Sequence, residues 1–114
     1  MIKTNCAIIG SGNIGTDLML KISKTSPSLN LTGVIGIDPE SEGLAMAQSL
    51  NIPICSEGLQ GFMEMPEYAD TQIFFDATSA GAHKMHHELI SQDGKQMIDL
   101  TPAAIGPYCV PVVN

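Results

Sequence analysis

Ala7-Ile8-Ile9-Gly10-Ser11-Gly12-Asn13-Ile14-Gly15 carries an apolar run into a segment of helical periodicity through three glycines. Each glycine has its own physical task at this spacing. Gly10 permits a tight turn, Gly12 lets the backbone approach a pyrophosphate, and Gly15 lets the helix pack closely on the sheet. The first helical turn leaves N–H groups without intrahelical partners, and the partial positive charge there favours an anion. The stretch predicts a dinucleotide-binding turn in which Gly10, Ser11, Gly12, Asn13, Ile14 and Gly15 meet the cofactor.

Outward from this turn, strands and helices alternate. Cys6 to Ile9 reads as a buried first strand, and Ile14 to Lys24 as a helix with Ile14, Leu18 and Ile22 on its inner face, ended by Ser26 and Pro27. Leu31 to Ile37 is a second β-branched run closing at Asp38, after which Pro39 and Ser41 open a helix that turns Leu44, Ala47 and Leu50 to the core. Ile52 to Ile54 reads as a short third strand, and Ser56 to Asp70 as a glycine-punctuated segment with one brief helical turn near Phe62 to Met65. Ile73 to Asp76 is a fourth strand, Ala80 to Gln92 a helix stopped by Asp93-Gly94, and Met97 to Leu100 a fifth strand.

This alternation implies right-handed crossovers and a mostly parallel sheet covered on both faces. The expected fold is α/β, a Rossmann-type doubly wound sheet in strand order 3-2-1-4-5, with the ligand beyond the carboxyl ends of strands one and four. Gly10 to Gly15 and Ala77 to Ala80 both map there. Residues 101–114 hold three prolines and a late apolar run in place of helical periodicity. They read as an exit segment towards a sixth strand and a substrate domain, so that residues 1–114 are a single dinucleotide-binding domain, a fragment or an early stop.

Five Lys and Arg against twelve Asp and Glu give a net charge of −7, with no basic cluster to follow a phosphate backbone. Nucleic acid is excluded as a partner, and an anionic dinucleotide must be held by local backbone donors instead of bulk attraction. The 44% apolar and 15% charged fractions suit a packed core. Cys6, Cys55 and Cys109 are odd in number, with no CxxC pair and no secretory leader, which points to a reducing cytoplasm. No apolar run approaches the roughly 20 residues that cross a bilayer as a helix.

Asp38 falls 23 residues after Gly15, at the end of the second strand, where a carboxylate accepts hydrogen bonds from ribose hydroxyls and repels a 2′-phosphate. With Pro39 where an Arg would welcome NADP, the cofactor reads as NAD; the competing role for Asp38 is a cap on the following helix. Thr78 and Ser79 suit a loop lying against the cofactor, and Ser79 equally suits a helix cap. His83, His86 and His87 share one helical face, but no Cys or carboxylate constellation accompanies them. They read as an exposed polar face, with no metal site.

Four stretches go further than the fold. Ala7 to Leu18, Gly36-Ile37-Asp38, Phe75 to Ala80 and Ile98 to Asn114, which contains Thr101-Pro102-Ala103-Ala104-Ile105-Gly106-Pro107-Tyr108-Cys109, together resemble the N-terminal NAD-binding domain of acylating acetaldehyde dehydrogenases. The resemblance spans the whole chain. It implies oxidation of acetaldehyde with NAD and coenzyme A to acetyl-CoA, in the breakdown of aromatic compounds, beside a 4-hydroxy-2-oxovalerate aldolase that passes acetaldehyde through a channel. It assigns Ser11, Gly12, Asn13 and Ile14 to the NAD turn.

In the family so resembled, the thiolate nucleophile opens a Cys-Gly-Gly segment downstream of the Pro-Tyr-Cys-Val-Pro stretch. Cys109 does not match it, and the chain ends first. The expectation is a segment that binds NAD and catalyses nothing. Two alternatives stand beside it: an NAD-sensing or partner-binding module using the apolar Val110 to Val113 end, and the cofactor domain of another semialdehyde dehydrogenase or small-substrate reductase. The latter share the turn but not the Thr-Pro-Ala-Ala-Ile-Gly-Pro-Tyr run.

Overall fold

The computed structural model describes residues 4–10, 12–25, 29–78 and 80–100. Ser26 and Pro27, Ser11, Ser79 and the 101–114 segment with Cys109 lie outside them. In chain order the elements are β1 (Thr4–Ile9), α1 (Asn13–Thr25), β2 (Leu29–Ile35), α2 (Glu42–Ser49), β3 (Ile54–Cys55), α3 (Gly58–Phe62), α4 (Pro66–Asp70), β4 (Ile73–Asp76), α5 (Ala80–Ser91) and β5 (Gln96–Asp99). All strand pairs are parallel, in the order β3-β2-β1-β4-β5. This is the doubly wound α/β sheet that the alternation predicts.

The centre of the sheet goes to β1 because both its faces are apolar. Cys6 and Ile8 point to one side, where Met19 and Ile22 of α1 and Leu44 and Ala47 of α2 cover them. Ala7 and Ile9 point to the other, against Leu59, Phe62, Tyr68 and Ile90 from α3, α4 and α5. Each large side chain so buried contributes about 1.5–3 kcal/mol of transfer free energy, which makes these two layers the main support of the sheet. The registers leave Thr32 as an extra residue between the pairs Cys6↔Leu31 and Ala7↔Gly33. Its hydroxyl donates to the Cys6 carbonyl at 3.1 Å, so the bulge keeps that acceptor satisfied.

Some details differ from the sequence reading, for local reasons. Ser56 to Asp70 contains two five-residue helices instead of one brief turn. Gly58, at φ +75°, lets the chain turn into α3, and Pro66 occupies the first turn of α4, where its missing N–H is no loss. On α1 the buried hydrophobic side chains among the described residues are Met19 and Ile22, with Leu18 half-buried; the Ile14 side chain lies outside the description. Leu50 is exposed because it is the C-cap of α2, past the last inward-facing turn. The second strand ends at Ile35, two residues early, and leaves Ile37 outside the sheet.

Candidate functional site

Three chain segments are stitched together where β1, β2 and β4 end. The Gly10 N–H donates to the Ile35 carbonyl at 2.7 Å, and the Ala77 N–H to the Ile9 carbonyl at 2.8 Å. Gly10 sits at φ +111°, a conformation that side-chain-bearing residues rarely adopt, and a Cβ there would lie 3.1 Å from the Ala77 carbonyl oxygen. At Gly15 a Cβ would run into the Gly10 carbonyl itself. The turn therefore folds back on its own strand at a separation only glycine permits.

Gly12 is different. It is exposed, a Cβ on it would meet nothing within 4 Å, and its carbonyl accepts the Thr16 N–H at 2.9 Å, which starts the hydrogen-bond ladder of α1. The first-turn N–H groups of α1, those of Asn13 and Ile14 among them, are left without intrahelical partners by helix geometry.

A cleft of about 550 Å3 opens at this edge. It is lined by Ile9, Gly10 and Gly12 at the end of β1, Ile35, Gly36 and Ile37 at the end of β2, Gly58, Leu59 and Gln60 of α3, Thr78 after β4, and Ala82, Met85 and His86 of α5. Ile37 is 86% exposed, an uncovered apolar side chain beside an edge of backbone donors. That combination fits a ligand with an anionic middle and a flat apolar end, as a dinucleotide has.

Asp38 follows Ile37 and is exposed. Its Oδ1 accepts the Glu40 N–H at 3.0 Å, closing a local turn. The cap of α2 is Ser41, whose Oγ accepts the Leu44 N–H at 3.3 Å. Capping therefore falls to Ser41, while Asp38 stays exposed next to the cleft-lining Ile37, its Oδ2 without a hydrogen-bond partner among the described residues. Thr78 lines the cleft and donates through both its N–H and its hydroxyl to Asp76 Oδ1.

The histidine face needs correcting. His86 is buried, and its Nδ1 lies 2.9 Å from Oδ2 of Asp76, which has no exposed surface. His87 is exposed, and the His83 side chain lies outside the description. Sequence reasoning missed the pair, although a signal existed: Ala82, His86 and Ile90 stand at four-residue spacing, which puts His86 on the inner stripe of α5 with the fully buried Ile90. Burial pushes the Asp76 carboxyl up, but hydrogen bonds from His86 and Thr78 outweigh it and hold the group below its ordinary value.

Neither described thiol is set up for covalent chemistry. Cys6 is fully buried in β1, and that burial pushes its thiol up to about 12. Cys55 is buried and donates to the Gly58 carbonyl at 3.6 Å. Among the described residues no group of His, Cys, Asp and Glu is placed to hold a metal ion, and no helix is long and apolar enough to cross a membrane.

Residues 5–114 match the family described as semialdehyde dehydrogenase, NAD binding domain. The chain is 61% identical over 114 residues to acetaldehyde dehydrogenase 2 of Novosphingobium aromaticivorans, covering 100% of this chain and 36% of that protein. It is 57% identical over 114 residues to an acetaldehyde dehydrogenase of Sphingobium yanoikuyae, again across 100% of this chain and 36% of that protein. An acetaldehyde dehydrogenase of Xanthobacter autotrophicus is 53% identical over 112 residues, 98% of this chain and 36% of its own length. The chain thus spans about a third of the length of the curated relatives it matches. Since the family match takes in the glycine turn and every later strand, the chain belongs to the semialdehyde dehydrogenase NAD-binding domain family, and its cofactor is NAD.

Proposed function

We propose that this domain positions NAD in a CoA-acylating acetaldehyde dehydrogenase, an enzyme converting acetaldehyde, NAD and coenzyme A to acetyl-CoA and NADH. The observation that carries this reading is the 61% identity, over all 114 residues, to a protein named acetaldehyde dehydrogenase. A cytoplasmic place in the breakdown of aromatic compounds, beside a 4-hydroxy-2-oxovalerate aldolase, belongs to the same reading and is supported by the resemblance of the motifs.

When bound, NAD supplies the hydride acceptor. The chain's own share is binding and orientation. Gly10 shapes the turn, its own N–H being held by the Ile35 carbonyl; Ser11, Gly12, Asn13, Ile14 and Gly15 are the proposed backbone donors to the pyrophosphate, Asp38 accepts from the adenosine ribose, and Thr78, which lines the cleft, and Ser79 are the proposed contacts that follow β4. The residues 1–114 by themselves bind NAD without turning over, a reading supported by the burial of Cys6 and Cys55.

Calorimetry and a coupled assay test both parts. The expected outcome is measurable NAD binding by the 114-residue chain, with no NADH formed from acetaldehyde and coenzyme A. CoA-dependent NADH formation by this chain would sink the non-catalytic reading, and absence of NAD binding would sink the role of the cleft.

A further inference from the structure

The Asp76–His86 pair stands inside the cleft wall and has no part in the glycine turn. His86 is 7% exposed yet lines the cleft, and its Nδ1 faces Asp76 Oδ2 at 2.9 Å. Asp76 is held below the ordinary carboxylate range, because the bonds from His86 and Thr78 outweigh the effect of its burial. It is therefore ionised at neutral pH and accepts only. Nδ1 must carry the proton, and a neutral imidazole protonated there has a lone pair on Nε2. Among the described residues Nε2 has no hydrogen-bond partner. A buried acceptor of this kind calls for a donor from the ligand.

The walls say which part of the ligand comes near. Ile37 is 86% and Met85 49% exposed, and both line the cleft, apolar surfaces suited to a flat ring. Ile37 adjoins Asp38, the proposed ribose acceptor, so this is the adenosine end. With the ribose hydroxyls taken by Asp38, the donor left on that half is the exocyclic amine of adenine.

We propose that His86 selects the purine, its Nε2 accepting a hydrogen bond from the adenine amine, with Asp76 as the positioning residue that fixes the tautomer. The inference rests on NAD occupying this cleft.

Two dinucleotides separate the outcomes: NAD, and nicotinamide hypoxanthine dinucleotide, which carries a carbonyl where adenine carries the amine. By calorimetry at mildly alkaline pH, the unaltered chain should bind NAD about tenfold more tightly than the analogue. His86→Asn retains a donor towards Asp76 but has no atom at Nε2, so it should lose the preference while melting close to the unaltered chain. Asp76→Asn should reverse the preference. The two Thr78 donors require oxygen at the Oδ1 position, which turns the amide NH2 to His86, makes Nδ1 the acceptor and puts the proton on Nε2. A merely structural pair would not invert a ligand preference. Equal affinity of the unaltered chain for both dinucleotides overturns the proposal without needing any variant, and so does an Asp76→Asn chain that still prefers NAD. Binding of neither dinucleotide overturns the NAD reading of the cleft instead, and this inference with it.

Discussion

The carbonyl oxygen of Gly10 occupies the space that a side chain on Gly15 would need. The obstacle is backbone, held in turn by the 2.7 Å bond from the Gly10 N–H to Ile35, so it has no rotamer by which to move aside. Gly15→Ala is expected to destabilise the chain by about 1–3 kcal/mol or more, read as a fall in the denaturant midpoint. Gly12→Ala makes the contrast. Its Cβ meets nothing within 4 Å, so the midpoint should shift by only a few tenths of a kcal/mol while NAD affinity drops about tenfold. Loss of stability at Gly12, or tolerance at Gly15, would contradict this division of labour.

Asp38 closes its turn through Oδ1 alone. If the carboxylate also repels a 2′-phosphate, Asp38→Ala should weaken NAD binding about tenfold and narrow the gap between NAD and NADP. Competition binding with the two cofactors measures it. An unchanged ratio would reduce Asp38 to a turn former.

Asp76 makes the fold acid-sensitive. The folded chain holds the carboxyl below its ordinary value of 3.8, so the unfolded chain takes up a proton first as the pH falls. Its stabilising effect is whole above that value and drains away as the pH drops through the folded-state value. Asp76→Asn should be about 2 kcal/mol less stable at neutral pH, and the difference should shrink below about pH 4. Urea midpoints across that range check it; a difference that ignored pH would show that the charge is not what matters.

Tyr68 sets the opposite limb. Burial first, then its hydrogen bond to Asp93 and the charge of that carboxylate, push the phenol well above its ordinary range. The folded chain keeps a proton that the unfolded chain releases above about pH 10, so stability is complete below that point and declines as the pH climbs. Tyr68→Phe should be about 1 kcal/mol less stable at neutral pH and should decline less steeply in alkali. The comparison is made by denaturation at both pH values.

What could be read from residue order was whatever has a long period. The apolar runs at β1 and β4, the stripe on α1 and the glycine turn announced a parallel sheet, its strand order and the edge where the cleft opens. Short elements were opaque: five residues make barely more than one helical turn, so α3 and α4 carry no periodicity, and only Gly58 and Pro66 mark them. The Asp76–His86 pair was misread because composition places histidine outside, whereas its spacing from Ile90 places it inside. A hydrogen bond across ten residues is a tertiary fact that local pattern does not encode.

Because alternate residues of β1 serve opposite layers, the sheet separates two cores that share no side chain. The helix proposed to receive the pyrophosphate, α1, packs in one of them, while the cleft wall from α3 and α5 packs in the other. A cofactor spanning the turn and the cleft is then a cross-brace between layers on opposite faces of the sheet. Hydrogen exchange should slow on both faces together when NAD is added, and the two halves of the domain should lose their independence in the same titration.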